Sequence, residues 1–187
     1  AYGITFYGGV VTLGWWRSDS SDSTTGMVLL ALAGLGGTFV AIYTGWLFGQ
    51  AKGRDLWQSA LSPIHLGFQA LVAGSAMLLL IRPEELSDLR VVLAIAITIE
   101  LPFILLEVFG KHSTEAARLA ARSLTQGVRG IWLPIGAIGA GRILPMLLLW
   151  GMPGGEWTFR CAGLLALAGI AIWEHLWVEA PQRLPLA

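Results

Sequence analysis

Ionisable side chains are rare within the apolar stretches of this sequence, and those few are where chemistry can be done. Glu100 and Glu107 interrupt one apolar run, Arg142 a second, and Glu174 with His175 a third; His65 follows Ser62 and Pro63 at the head of a fourth. In hydrocarbon a charged group costs about 2.5–3.5 kcal/mol on insertion scales, so such groups face a bundle interior and mark ion or proton pathways. Glu100 and Glu107 are seven residues apart, two helical turns, and share one helix face. Pro102 between them loosens the local backbone hydrogen bonding. Arg142 lies between Pro134 and Pro145 in the Gly-rich stretch GAIGAGR. A buried Glu100–Arg142 ion pair is one expectation, and a proton path or polar cavity lined by Glu100, Glu107, Arg142 and Glu174 is another; the two are compatible. Plainer readings stand beside them. Glu107, Glu174 and His175 are near span ends and can reach interfacial water, and His65 suits a helix start near headgroups.

The elements that carry these groups follow from composition. The chain has 187 residues, 55% of them hydrophobic and 13% charged, against about 25% charged in a soluble domain. Mean hydropathy is +0.68. A membrane helix needs roughly 20 apolar residues. Segments near 27–48, 63–81, 91–110, 131–150 and 159–178 meet that, and 2–16 is a sixth, short or incomplete. The expectation is an all-α, polytopic transmembrane bundle of five to six spans forming a single domain over 1–187. The connection 111–130 contains STEAARLAARSL, with a Ser-x-x-Ala start at Ser113 and arginines at 118 and 122. It predicts a short amphipathic helix on the membrane surface. The chain lacks an initiator Met and opens like a helix entered partway, so the expectation is either a missing N-terminal portion or a processed start.

Alternating the spans puts Lys52, Arg54, Lys111, Arg118, Arg122, Arg129 and Arg183 on one side and Arg17, Arg82, Arg90 and Arg160 on the other. The positive-inside rule makes the first side cytoplasmic, and the C-terminus with it. The nine tryptophans lie mostly near span ends, as an aromatic belt would. Gly34, Gly36 and Gly37, and Gly136, Gly139 and Gly141, permit close helix packing. Zero net charge argues against nucleic acid as a partner. The single cysteine, Cys161, cannot hold an iron–sulfur cluster. A haem held by His65 and His175 is a weak alternative, since His112 falls in a loop.

Three stretches, in order, resemble the NrfD/PsrC family, the membrane subunits of polysulfide reductase-like complexes. They are AIYTGWLFGQAKGRDLWQSALSPIHLGFQALVAGSA (41–76), QGVRGIWLPIGAIGAGRILPMLLL (126–149) and IWEHLWVEAPQRLPLA (172–187). Family members are usually longer. The resemblance implies a quinone- or quinol-interacting subunit, for menaquinone or ubiquinone, in a prokaryotic inner membrane. Such a subunit anchors an iron–sulfur protein, often joined to a molybdopterin or multihaem subunit, and holds no haem or cluster itself. It implies Tyr43, from the Tyr-Thr-Gly match, as a quinone contact, since a phenol can hydrogen-bond a quinone carbonyl while neutral. His65, on the next helix, is the expected second contact or proton acceptor. Glu100, Glu107, Arg142 and Glu174 are the expected proton path. Two other classes stay open: an ion- or proton-coupled transporter subunit using the same charges, and a structural anchor with no active quinone site.

Overall fold

The computed structural model describes residues 23–81, 86–151 and 155–184, with no strand among them. Helix α1 is Ser23–Gly49, α2 Ser62–Ile81 and α3 Leu86–Phe109. The short α4, Glu115–Ser123, follows. The next span starts as α5, Arg129–Ile131, continues as a π-helix over Trp132–Ile143 and ends as α6, Leu144–Gly151. Last comes α7, Glu156–Glu179. Single 3-10 turns, Asp55–Gln58 and Ala180–Arg183, precede α2 and follow α7. Five helices, Ala31–Gly49, Ser62–Ile81, Leu89–Phe109, Arg129–Trp150 and Glu156–Gln182, are long and apolar enough to cross a membrane. The chain is an all-α, multi-pass membrane protein. The expected stretch 2–16 lies outside the described residues.

Helix α2 is the hub. It packs on α1, α3 and α7, and α7 in turn packs along the π segment and α6. Helix α1 touches chiefly α2 and the Asp55–Gln58 turn. Lipid tails are as apolar as leucine, so helices in a bilayer associate through close packing rather than through hydrophobic burial. The tightest crossing joins Gly141 to Gly169: a Cβ added at Gly141 would stand 2.4 Å from the Gly169 Cα. Expectations for the other glycines divide. Gly136 packs on Ile172, but Gly34 has nothing within 4 Å of where its Cβ would be.

The π-helix is not what the sequence predicts for 131–150, where plain α-helix is the expectation. Pro134 and Pro145 each lack an N–H, so the ladder of i−4 bonds is broken near both ends of the segment. The Gly-rich stretch between them adapts to a wider turn, and the Leu144 N–H bonds back to the Gly139 carbonyl, five residues earlier.

Two further expectations change. The N-cap of α4 is Thr114 rather than Ser113; its hydroxyl accepts from the Ala117 N–H at 3.2 Å and donates to Asp55 Oδ2 at 2.6 Å. The expected short amphipathic helix is present as α4: its small face, Ala117, Ala120 and Ala121, is buried against the bundle and its charged face points outward. Its outer face holds Glu115, whose carboxyl is kept below the usual range by the Arg118 guanidinium 2.5 Å away. Trp46, Trp132, Trp150 and Trp157 are exposed, as an aromatic belt requires. It fails for Trp173 and Trp177, which are core residues, and for Trp57, which packs on Phe48 and Trp177.

Candidate functional site

Helix α2 sets the site. Ser62, His65 and Gln69 recur at helical spacing along one buried face. Helix α3 lies beside it and brings Glu100 and Glu107 to that face. Helix α7 closes the far side with Trp173 and Trp177, and the π segment contributes Arg142. Glu100 and Arg142 have no exposed side-chain surface at all.

Arg142 grips Glu100 with two nitrogens: Nη2 donates to Oε1 at 2.6 Å and Nε to Oε2 at 3.2 Å. This two-point geometry is the strong form of the pair. The third arm, Nη1, donates to the Ala137 carbonyl at 3.1 Å. Space for that arm comes from Gly169, where a Cβ would stand 3.0 Å from Nη1. The expected Glu100–Arg142 pair is therefore present, fully desolvated and anchored to the π-helical backbone. Breaking it by removing one partner would leave a bare buried charge.

His65 lies between the two glutamates. Its Nδ1 is 3.0 Å from Glu107 Oε2, within hydrogen-bond range. Its Nε2 is 3.6 Å from Glu100 Oε1, an ionic contact too long for a hydrogen bond. The ring is held between Phe103, stacked at 6.0 Å, and Trp173, tilted at 5.6 Å. Ser62 Oγ donates to Glu107 Oε1 at 3.3 Å. The result is one polar chain, Arg142–Glu100–His65–Glu107–Ser62. With a rise of about 1.5 Å per residue, the two glutamates put its ends roughly 10 Å apart along the bundle.

At its outer end, Ser62, His65, Glu107, Trp173, Trp177 and Glu174 line a cavity of about 10 Å³. That is close to the space one water needs, and the lining supplies the polar partners a water requires. The half-buried Glu174 also lines a shallower opening with His175 and Glu179. Glu174 thus stands where the interior chain meets the boundary.

Of the residues expected from the sequence, the structure brings His65, Glu100, Glu107, Arg142 and Glu174 together. It places Tyr43 elsewhere. Ile42 and Gly45 meet α2 at Gly67 and Pro63. Tyr43 is two residues from Gly45, about 200° around α1, and is 37% exposed with its ring stacked on Phe39. His175 is also apart from the chain: its side chain is 76% exposed, and it lines a different cavity from His65. Sequence reasoning missed Ser62, Gln69 and Trp173 as site residues. The polar stripe at 62, 65 and 69, spaced three and four apart within an apolar helix, was the signal for the first two. Trp173 carried none, since a tryptophan near a span end looks like a belt residue.

Comparison with known proteins adds one relative. The chain is 30% identical over 158 residues to a selenate reductase subunit of Mesobacillus selenatarsenatis, an alignment covering 77% of this chain and 37% of that protein. The chain thus spans well under half the length of the relative it matches. No family model and no solved structure matches it. This multi-pass membrane chain is therefore similar to a subunit of a reductase.

Proposed function

We propose that this chain is the quinone-interacting membrane subunit of a multisubunit oxidoreductase in a prokaryotic inner membrane, with its C-terminus cytoplasmic. On this reading it anchors an iron–sulfur partner and exchanges electrons with it; a molybdopterin or multihaem subunit completes the complex. The observation that carries the reading is the buried chain Arg142–Glu100–His65–Glu107, which begins mid-span and reaches the boundary at Glu174. Similarity to the selenate reductase subunit supports the oxidoreductase class.

A quinone–quinol couple supplies two electrons and two protons when bound. The residues of this chain divide that task. Tyr43 and Phe39 form an aromatic pair on the outer face of α1, apart from the buried chain, so on this reading they are a docking contact for a flat ring, with the phenol donating to a carbonyl, and do not pass protons to His65. His65 and Glu107 share a proton across their 3.0 Å contact. Glu100 is tied up by Arg142 and sets a fixed charge behind His65. Among the described residues Glu107 has Ser62 and His65 as hydrogen-bonding partners and no guanidinium, so on this reading it is the carboxyl that trades a proton with Glu174 through the small cavity. Cys161 alone cannot ligate a cluster, so on this reading electrons pass to a cluster in the partner.

Glu107→Gln tests this in the purified complex. It keeps shape and hydrogen bonding but cannot carry a proton. Quinol-dependent turnover is expected to fall by about 10²-fold or more, with all subunits still co-purifying in the same ratio. Unchanged turnover removes the proton role. A wild-type complex with no quinol-dependent turnover at all removes the quinone reading.

A further inference from the structure

A cavity far larger than the one beside Glu107 lies apart from this chain of polar groups. It is a groove of about 850 Å³ at the boundary where α4 turns into the next span, walled by that turn and by the end of α7. Gly127, at φ +58°, makes the turn and forms part of the rim. One wall is apolar, with Val128, Trp132, Ile172 and Leu176; Val128 and Trp132 are more than half exposed. The other end is ionic.

That ionic end is a built network. Arg129 Nε is 3.4 Å from Glu179 Oε2, and Arg129 Nη1 donates to Ser123 Oγ at 3.2 Å. Arg183 Nε donates to Glu179 Oε1 at 3.1 Å. His175 Nε2 lies 3.9 Å from Glu179 Oε2. The lining thus sets two arginines against one glutamate, a net of one positive charge with the histidine neutral.

We propose that this groove binds the phosphodiester headgroup of an anionic phospholipid, with an acyl chain along Val128, Trp132 and Ile172. Guanidinium forks match phosphate geometry and hold it by charge-assisted hydrogen bonds. A phosphodiester cancels the one unneutralised charge of the groove. A choline headgroup would return an ammonium to an end that is already positive, and a quinone ring carries no charge to cancel. Basic recesses at the ends of spans recognise acidic lipids for the same reason. This site is independent of the quinone reading and stands or falls without it.

The test uses the delipidated complex in detergent and two probes, phosphatidylglycerol and phosphatidylcholine, with retention followed by native mass spectrometry. Phosphatidylglycerol is expected to be retained in preference to phosphatidylcholine. Arg129→Gln and Arg183→Gln should each weaken it about fivefold. Glu179→Gln should tighten it by a similar factor, because the net charge of the groove rises; a disrupted fold cannot produce that opposite change. Equal retention of the two lipids overturns the proposal. So does phosphatidylglycerol binding that none of the three variants moves, the outcome expected if a protein partner fills the groove, or displacement of the lipid by a quinone analogue.

Discussion

The bundle has two halves built from the same helices by opposite means. On α2, the buried face reads Ser62, His65, Gln69 toward the basic loops, then Val72, Ala76, Leu79 toward the other side. On α3 it reads Glu107, Glu100, then Ile97, Leu93. On α7 it reads Trp177, Trp173, then Ala166, Ala162, Phe159. The second half is a dry cluster. Its one buried polar side chain among the described residues, Ser75, turns its hydroxyl back to the Leu71 carbonyl at 2.6 Å. The first half holds every buried ionisable group among the described residues. Packing alone secures the dry half. The polar half must offset the cost of dehydrating charges, and does so by pairing each one. The difference teaches direction: polar groups run from the basic side to mid-span and stop, so on the proposed function protons exchange with that side only.

The sharpest way to break the comparison is Arg142→Leu. It takes both hydrogen bonds from Glu100 and leaves it only the 3.6 Å contact with His65, which should cost about 3–5 kcal/mol, seen as a collapse in folded yield or a large fall in unfolding midpoint. Adding Glu100→Leu makes the polar half resemble the dry one. Most of the stability should return while quinol turnover stays lost; a double variant no better than the single would refute the charge-balance account. The dry half is challenged by Gly163→Ala, whose Cβ would stand 2.7 Å from the Ala76 carbonyl oxygen. A loss of about 1–3 kcal/mol is expected. Gly34→Ala, in open space, should lose nothing, and equal thermal shifts for the two would contradict the packing argument. A smaller effect belongs to the surface: Thr114→Ala removes the cap of α4 and should cost about 1 kcal/mol, a modest fall in midpoint with the spans intact. Smallest for stability is Tyr43→Phe, because that residue sits on an exposed face. The midpoint should not move, whereas quinol turnover should drop; a variant as active as wild type takes Tyr43 out of the reaction.

Much of the site was legible because lipid makes charge conspicuous. Glu100 and Arg142 were both too deep to reach water, which predicts that they pair. Glu100 and Glu107 shared a face by spacing alone. What sequence could not give was the register between helices. His65 is 35 and 42 residues from its two carboxylate partners, and only the docking of α2 on α3 decides that its ring falls between them. Tyr43 illustrates the converse. Its motif placed it in the chain, but the side of α1 it occupies follows from Gly45 seating on Pro63. The π-helix was hidden because reading by helical period assumes one constant turn throughout a span.

That wider turn has a consequence for how the protein tolerates change. A π segment carries surplus residues relative to an α-helix of the same height, so it shifts the angular phase of everything beyond it. Arg142 sits at the end of that offset. Losing a single residue anywhere in 135–140 would rotate the guanidinium about the helix axis, turning it off the Glu100 carboxylate. Substitutions in this stretch change one contact each. A deletion would re-aim the interior charge, so the length of the segment is under tighter constraint than its spelling.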